Sequence, residues 1–319
     1  MRRTEEIIGG VLAGDRRSIA RAISIIENEQ PEAHEIVSAV YPHTGKAHII
    51  GLTGPGGAGK STLIEKIVRE YRQEGKTVGV VAVDPTSPFT GGAFLGDRIR
   101  MQDLSTDEDV FIRSMASRNY PGGLARATKN AVKVLDAAGK DIVLVETVGA
   151  GQSEVEIIKV AQTIVLIQAP GLGDEIQAIK AGLMEIADVF VVNKADRENA
   201  DKTVMDIQAM LQMNSKDKVW KPPILKTVAL SGEGVPQLVE KLWEHRRFLE
   251  GDTEHKKELL KAMAETELAE AIKEKTASSI LEELKREGKY EEFLQKILKK
   301  EIDPTSAAEE LLKEKLRKT

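Results

Sequence analysis

The sequence predicts an α/β fold: a mostly parallel, doubly wound sheet, with helices before it and a helical arm after it. Three observations lead there. Short apolar runs alternate with helix-length segments from about residue 47 to 250, the pattern of parallel strands joined by right-handed crossovers. A glycine-rich turn joins the first run to the first helix that comes after it. Beyond residue 250 the strand-like runs vanish into heavily charged sequence with helical periodicity.

Residues 1–45 read as short helices. Ser18–Ile26 places apolar side chains at helical spacing, and Pro31 and Pro42 interrupt the stretch between this helix and the first strand. Strands are expected at Ala47–Thr53, Val78–Val83, Ile142–Glu146, Ile164–Ala169 and Val189–Asn193. In 251–319, Leu259, Leu260 and Met263, then Ile280, Leu281 and Leu284, then Phe293, Leu294, Ile297 and Leu298 recur at helical spacings. This stretch reads either as a solvated helical tail folded on the main domain or as an intersubunit arm, because the apolar stripes need a partner. Asp303-Pro304-Thr305 supplies a turn and an N-cap for a last short helix. The expected organisation is a helical segment over 1–45, a nucleotide-type domain over 46–250 and a helical arm over 251–319.

Composition narrows the chemistry. With 319 residues and 41% hydrophobic side chains, a substantial core can be buried. Forty-six Lys and Arg against 51 Asp and Glu leave a net charge of −5, which argues against a large nucleic-acid footprint. The chain has no Cys, excluding disulfides, thiolate metal sites and cysteine nucleophiles within it. His34, His43, His48, His245 and His255 show no ligand spacing, which disfavours metal delivery. No apolar run approaches the roughly 18 residues of a membrane span, and the start lacks the apolar core of a signal peptide. A soluble, cytoplasmic protein is expected, with neither membrane nor nucleic acid as partner.

After the strand ending at Thr53 comes Gly54-Pro55-Gly56-Gly57-Ala58-Gly59-Lys60-Ser61-Thr62, which fits G-x-x-x-x-G-K-[ST], and Leu63–Val68 continues as an amphipathic helix. Glycines let successive N–H groups turn inward around phosphates, and the helix N-terminus adds partial positive charge. Lys60 is expected to bridge the β- and γ-phosphates and Ser61 to ligate Mg²⁺. The fold is therefore that of a P-loop NTPase.

Asn193-Lys194-Ala195-Asp196 matches N-K-x-D at the end of a later strand. The Asp196 carboxylate can accept from the N1–H and 2-amino group of guanine, a donor pair that adenine lacks. Asn193 is expected to face the acceptor edge of the base and the Lys194 stem to cover the ring. Ala229-Leu230-Ser231 lies where GTPases place a loop whose backbone N–H reaches guanine O6, although Val228 stands where many carry serine.

The strand at 142–146 ends in Glu146-Thr147-Val148-Gly149, where most GTPases have D-x-x-G. Glu146 is a candidate to hold Mg²⁺, and the Gly149 N–H to meet the γ-phosphate. Asp84 and Asp97 are further acidic candidates. Asp84 also suits an Asx-turn before Pro85, and Asp97 a surface ion pair with Arg98 or Arg100. Ala150 comes directly after Gly149, so the common water-positioning glutamine is missing there and Gln152 is the nearby substitute. Intrinsic hydrolysis is expected to be slow and accelerated when a partner orders the loops.

Residues 54–62, 83–88 (Val-Asp-Pro-Thr-Ser-Pro), 96–101 (Gly-Asp-Arg-Ile-Arg-Met) and 146–154 (Glu-Thr-Val-Gly-Ala-Gly-Gln-Ser-Glu) together resemble the methylmalonyl-CoA mutase-associated GTPases of the MeaB/ArgK type. The resemblance runs the length of the chain. It implies a GTP-hydrolysing chaperone that gates cofactor delivery to an adenosylcobalamin-dependent acyl-CoA mutase and protects it. It further implies a homodimer built by the C-terminal extension, acidic magnesium and switch positions at Asp84, Asp97 and Glu146, and a third switch at 171–180 with Asp174 and Lys180 as its relay residues. A plain amphipathic helix with solvated charges is the other reading of that last stretch. The rival functions are a kinase of a transport-associated protein and a GTP-binding scaffold with negligible turnover.

Overall fold

The computed structural model describes residues 2–84, 104, 106–116, 126–147, 157–171, 181–214, 219–251 and 253–316. They divide into two compact units, 1–256 and 257–319.

In the first unit, helices α1 (Arg2–Leu12), α2 (Arg16–Glu27) and α3 (Ala33–Val40) precede the sheet. The Asp15 carboxylate caps α2 by accepting from the Ser18 N–H at 2.7 Å. The strands are β1 (His48–Thr53), β2 (Val78–Asp84), β3 (Val110–Ala116), β4 (Ile142–Glu146), β5 (Thr163–Gln168), β6 (Val189–Asn193) and β7 (Ile224–Thr227). Between and after them lie α4 (Lys60–Gln73), α5 (Arg126–Ala137), α6 (Ala181–Ile186), α7 (Ala200–Asn214) and α8 (Val235–Gly251). The order across the sheet is β3-β2-β4-β1-β5-β6-β7, every pairing parallel. Strand order reverses at β1, between β4 and β5, so the crevice above the C-terminal end of β1 is the topological switch point.

Each face of the sheet is buried under helices, as continuous Val/Ile/Leu strands require. Ile50, Leu52, Leu144 and Val165 pack with Leu63, Ile64 and Ile67 of α4 and Leu238 and Leu242 of α8. On the opposite face Val143, Val145 and Val81 pack with Ile19, Ile23 and Ile26 of α2 and Val134 and Leu135 of α5. A third cluster joins Leu166, Phe190 and Val192 to Leu183 of α6 and Ile207 of α7. The chain enters β1 at a fixed place because the buried Asp136 carboxylate accepts from the N–H groups of Gly45, Lys46 and Ala47 at 2.5, 3.1 and 2.9 Å.

All five expected strands are present, with ends shifted by one residue at most. β3 and β7 are additions to them, and in β3 Arg113 and Ser114 interrupt the apolar run. The interruption is tolerated because β3 is an edge strand and Arg113 reaches α2, donating to Glu27 at 2.5 Å and Ser24 Oγ at 3.1 Å.

The second unit holds α9 (Thr253–Arg286) from Lys257 onward, α10 (Lys289–Leu298) and α11 (Pro304–Leu316). Its core is small, with Leu284, Phe293, Ala307 and Leu311 buried. Beside that core lies an apolar groove of about 350 Å³ lined by Ile280, Leu281, Tyr290, Ile297 and Leu312 among others. Asp303 caps α11, accepting from Thr305 N at 2.9 Å and Ser306 N at 3.1 Å. Among the described residues, no helix is long and apolar enough to cross a membrane.

Candidate functional site: a phosphate loop at the switch point

The phosphate loop leaves β1 with Gly54 at φ 145°, where a Cβ would lie 2.1 Å from the Ile167 carbonyl oxygen of β5. Only glycine can run this close to the neighbouring strand. Gly57 and Gly59 also have positive φ, 78° and 91°, and Gly59 passes directly into α4. A Cβ on Gly59 would meet Asn193 Nδ2 at 2.4 Å, so this glycine lets the Asn193–Asp196 segment approach the loop. The side chains of Lys60 and Ser61, in the first turn of α4, are both buried. Lys60 Nζ donates to the Gly54 and Pro55 carbonyls at 2.8 and 3.1 Å. Its ammonium is thereby held against the turn that would receive phosphate.

Glu146 closes β4 beside β1, in register with Leu52 on one side and Ala82 of β2 on the other. Its side chain faces α4, and Ser61 Oγ donates to Glu146 Oε1 at 2.8 Å. The structure thus brings together two oxygen donors proposed from distant parts of the sequence. A hydroxyl and a nearly buried carboxylate beside a phosphate cradle are the hard ligands that Mg²⁺ prefers. Asp84 ends β2 two residues beyond the partner of Glu146, on the same sheet edge. The Asp84 side chain, Asp97, Gly149, Gln152, Asp174 and Lys180 lie outside the described residues. On the opposite face of the same edge, Thr147 Oγ1 donates to Thr53 Oγ1 at 2.9 Å, a buried hydroxyl pair tying the tips of β4 and β1 that no motif announced.

The Asn193–Asp196 segment is attached directly to the phosphate loop. Asn193 Nδ2 donates to the Ala58 carbonyl at 2.8 Å, while Asn193 Oδ1 accepts from the Ala229 N–H at 3.0 Å and Thr227 Oγ1 at 3.1 Å. Two sequence expectations change accordingly. Asn193 is first a brace between two loops, with one remaining amide hydrogen for a base edge. The Ala229 N–H, expected to reach guanine O6, donates here to Asn193 Oδ1, whose residue is 1% exposed and needs donors for its oxygen. Leu230 comes next at the loop tip with its side chain 82% exposed, and the Ser231 hydroxyl closes the turn, donating to the Val228 carbonyl at 3.2 Å. Lys194 has φ 57° and its Nζ donates to the Gly57 carbonyl at 2.6 Å, so its stem spans the gap between the two segments. Asp196 is solvent-exposed at the mouth.

Comparisons with known proteins agree with this geometry. The family model described as methylmalonyl Co-A mutase-associated GTPase MeaB matches residues 19–285. A protein of Pyrococcus abyssi that carries the name GTPase is 51% identical over 313 residues, 97% of this chain and 96% of that protein. The mouse protein named methylmalonic aciduria type A homolog, mitochondrial, is 31% identical over 335 residues, 97% of this chain and 79% of that one. Among solved structures, one titled LAO/AO transport system kinase superposes with a TM-score of 0.70 at 25% identity, covering 99% of this chain and 98% of its own. With a phosphate loop at the switch point, an N-K-x-D segment braced against it and a family match over most of its length, the chain belongs to the methylmalonyl Co-A mutase-associated GTPases, the MeaB family.

Proposed function

We propose that this GTPase is the chaperone of an adenosylcobalamin-dependent acyl-CoA mutase such as methylmalonyl-CoA mutase, acting in the cytoplasm as a homodimer. The observation that carries the nucleotide half of this reading is the Ser61–Glu146 contact at 2.8 Å beside the phosphate loop. The mutase half rests on the family's name and on the mouse relative's.

Gly54–Thr62 would wrap the phosphates with backbone N–H groups, and Lys60 would leave its two carbonyl partners for the β- and γ-phosphate oxygens. Ser61 and Glu146, with Asp84 and Asp97, would hold Mg²⁺. Bound there, the ion neutralises charge on the β- and γ-phosphate oxygens. Asp196 would select guanine, with Lys194 along the base and the Leu230 N–H available at the loop tip. Gly149 and Gln152 would serve the γ-phosphate and the attacking water, and Asp174 and Lys180 would pass the nucleotide state to the mutase. Residues 1–45 would form an N-terminal helical segment, 46–250 the GTPase domain and 251–319 the dimer contact.

The decisive experiment measures GTP hydrolysis by the purified chain, alone and with an adenosylcobalamin-dependent acyl-CoA mutase from the same source. Slow turnover alone and a clear rise with the mutase is the expected result. Phosphate appearing on a protein acceptor would favour a kinase, and negligible turnover with any partner a scaffold.

A further inference from the structure

At the N-terminal edge of the sheet, away from the phosphate loop, four polar side chains form one chain, buried except at Asp188, whose side chain is 27% exposed. His48 opens β1, Thr163 opens β5, Asp188 immediately precedes β6, and His245 lies on α8. The two histidines are 1% and 2% exposed. His48 Nε2 lies 2.7 Å from Thr163 Oγ1, His245 Nδ1 lies 2.8 Å from the same oxygen, and His245 Nε2 lies 3.5 Å from Asp188 Oδ1. The other Asp188 oxygen accepts from the Ile164 N–H at 2.8 Å. Nucleotide chemistry uses none of these groups.

Valence orders the protons along the chain. An ionised carboxylate only accepts, so an order of protons that starts from Asp188 puts hydrogen on the His245 nitrogen 3.5 Å from it. Neutral His245 then offers a lone pair at Nδ1, and Thr163 donates its single hydroxyl hydrogen there. The Thr163 oxygen is left as an acceptor toward His48, which must carry its hydrogen on Nε2 and leave Nδ1 bare. His48 Nδ1 is indeed buried with no hydrogen-bond partner, a place for a lone pair and not for an N–H.

We propose that this proton-ordered chain is an acid-releasable latch holding α8 to the N-terminal edge of the sheet. A proton added to His48 must go on Nδ1, where no acceptor waits. A proton added to His245 turns Nδ1 into a donor, so two N–H groups face one threonine oxygen and the hydroxyl hydrogen loses its acceptor. The surroundings work in the same direction. Burial above all, then the Arg246 charge and that of His245 once it is protonated, hold the His48 pKa down to about 3. Arg246 is itself engaged with Glu250 and the Lys46 carbonyl. Around His245 stand Asp188, the Trp220 ring at 4.7 Å and Phe248 at 6.0 Å. Toward α4, Trp243 lies 6.4 Å from His48, donates to Glu74 at 2.9 Å and carries Lys76 over its ring. Release would be felt beyond the latch, because α8 packs on α4 through the Trp243–Tyr71 edge contact, and α4 begins with Lys60 and Ser61.

The only two tryptophans of the chain, Trp220 and Trp243, flank the latch and report on it. The test tracks tryptophan emission and far-ultraviolet circular dichroism of the full chain from pH 8 to pH 3, with ¹⁵N imidazole NMR of the folded protein. Expected are a His48 Nε2–H tautomer that does not titrate above pH 5, and an emission shift at higher pH than the loss of helix. In His48→Gln, proton uptake on unfolding near pH 5 should fall by about one. A His48 titrating near pH 6.5, an Nδ1–H tautomer, coincident optical transitions or an unchanged uptake would each overturn the latch. Should His48→Gln fail to fold, the tautomer and titration of the unmodified protein still decide.

Discussion

Ser61 Oγ and Glu146 Oε1 are separated by 85 residues of sequence and 2.8 Å of space, and they define where charge is handled in this molecule. Lys60 beside them makes its hydrogen bonds through a charged ammonium, and such bonds contribute about 1.5–3 kcal/mol each. Lys60→Ala should therefore weaken GTP at least about a hundredfold in isothermal calorimetry while leaving the circular dichroism spectrum unchanged. Asp196→Asn should weaken GTP by about a hundredfold or more and favour xanthine nucleotides, whose exchanged edge suits an amide. Competition between GTP and XTP for the variant checks it, and unaltered preference would remove Asp196 from base selection. The phosphate loop was legible in the sequence because its spacing is local: nine consecutive residues state the turn, the cradle and the helix start. Asn193 was legible only as part of a motif. Its use as a brace depends on Ala58 and Ala229, brought to it by tertiary packing 135 and 36 residues away.

Among the elements, strands buried on both faces announce themselves as unbroken apolar runs, and β1, β4, β5 and β6 were readable for that reason. β3 hid because its sequence mixes Arg113 and Ser114 into the run, and a half-covered edge strand obeys no simple pattern. The Arg113–Glu27 pair compensates for that irregularity, with side chains only 19% and 14% exposed. Arg113→Ala should cost about 1–3 kcal/mol in urea denaturation by leaving Glu27 in a half-dry pocket. The double variant with Glu27→Gln should recover part of that loss, and a null effect of the single change would show the pair to be idle. The latch adds a pH dependence with a definite sign. His48 is held to about 3 in the folded state against about 6.5 for an imidazole in water, so unfolded chains bind a proton first as pH falls. Its contribution is complete above pH 6.5 and is lost progressively toward pH 3, about 2 kcal/mol being gone by pH 5.

At the scale of the whole molecule, the second unit has a core of four buried residues among those described and leaves Leu268 and Ile272 of α9 exposed at 62% and 56%. Sequence periodicity located these helices but could not tell a tail from an arm, because both bury the same stripe against something. If 251–319 is the dimer contact, the double substitution Leu268→Glu and Ile272→Glu should convert the dimer to monomer in sedimentation velocity while GTP affinity is retained. A variant that sediments as the unmodified chain does would exclude this face from the interface.

One close approach in the phosphate loop has a thermodynamic corollary. Gly54 is pressed against the carbonyl of Ile167, so β1's turn and β5 cannot shift independently, and β5 continues through Ala169 and Pro170 into the segment 171–180. Any binding event on that segment that displaces β5 must change the free energy of holding a nucleotide. By linkage, the nucleotide must change the affinity for that visitor by the same factor. If that segment is the switch proposed above, a glycine with no side chain of its own ties the two affinities into one quantity, measurable from either ligand.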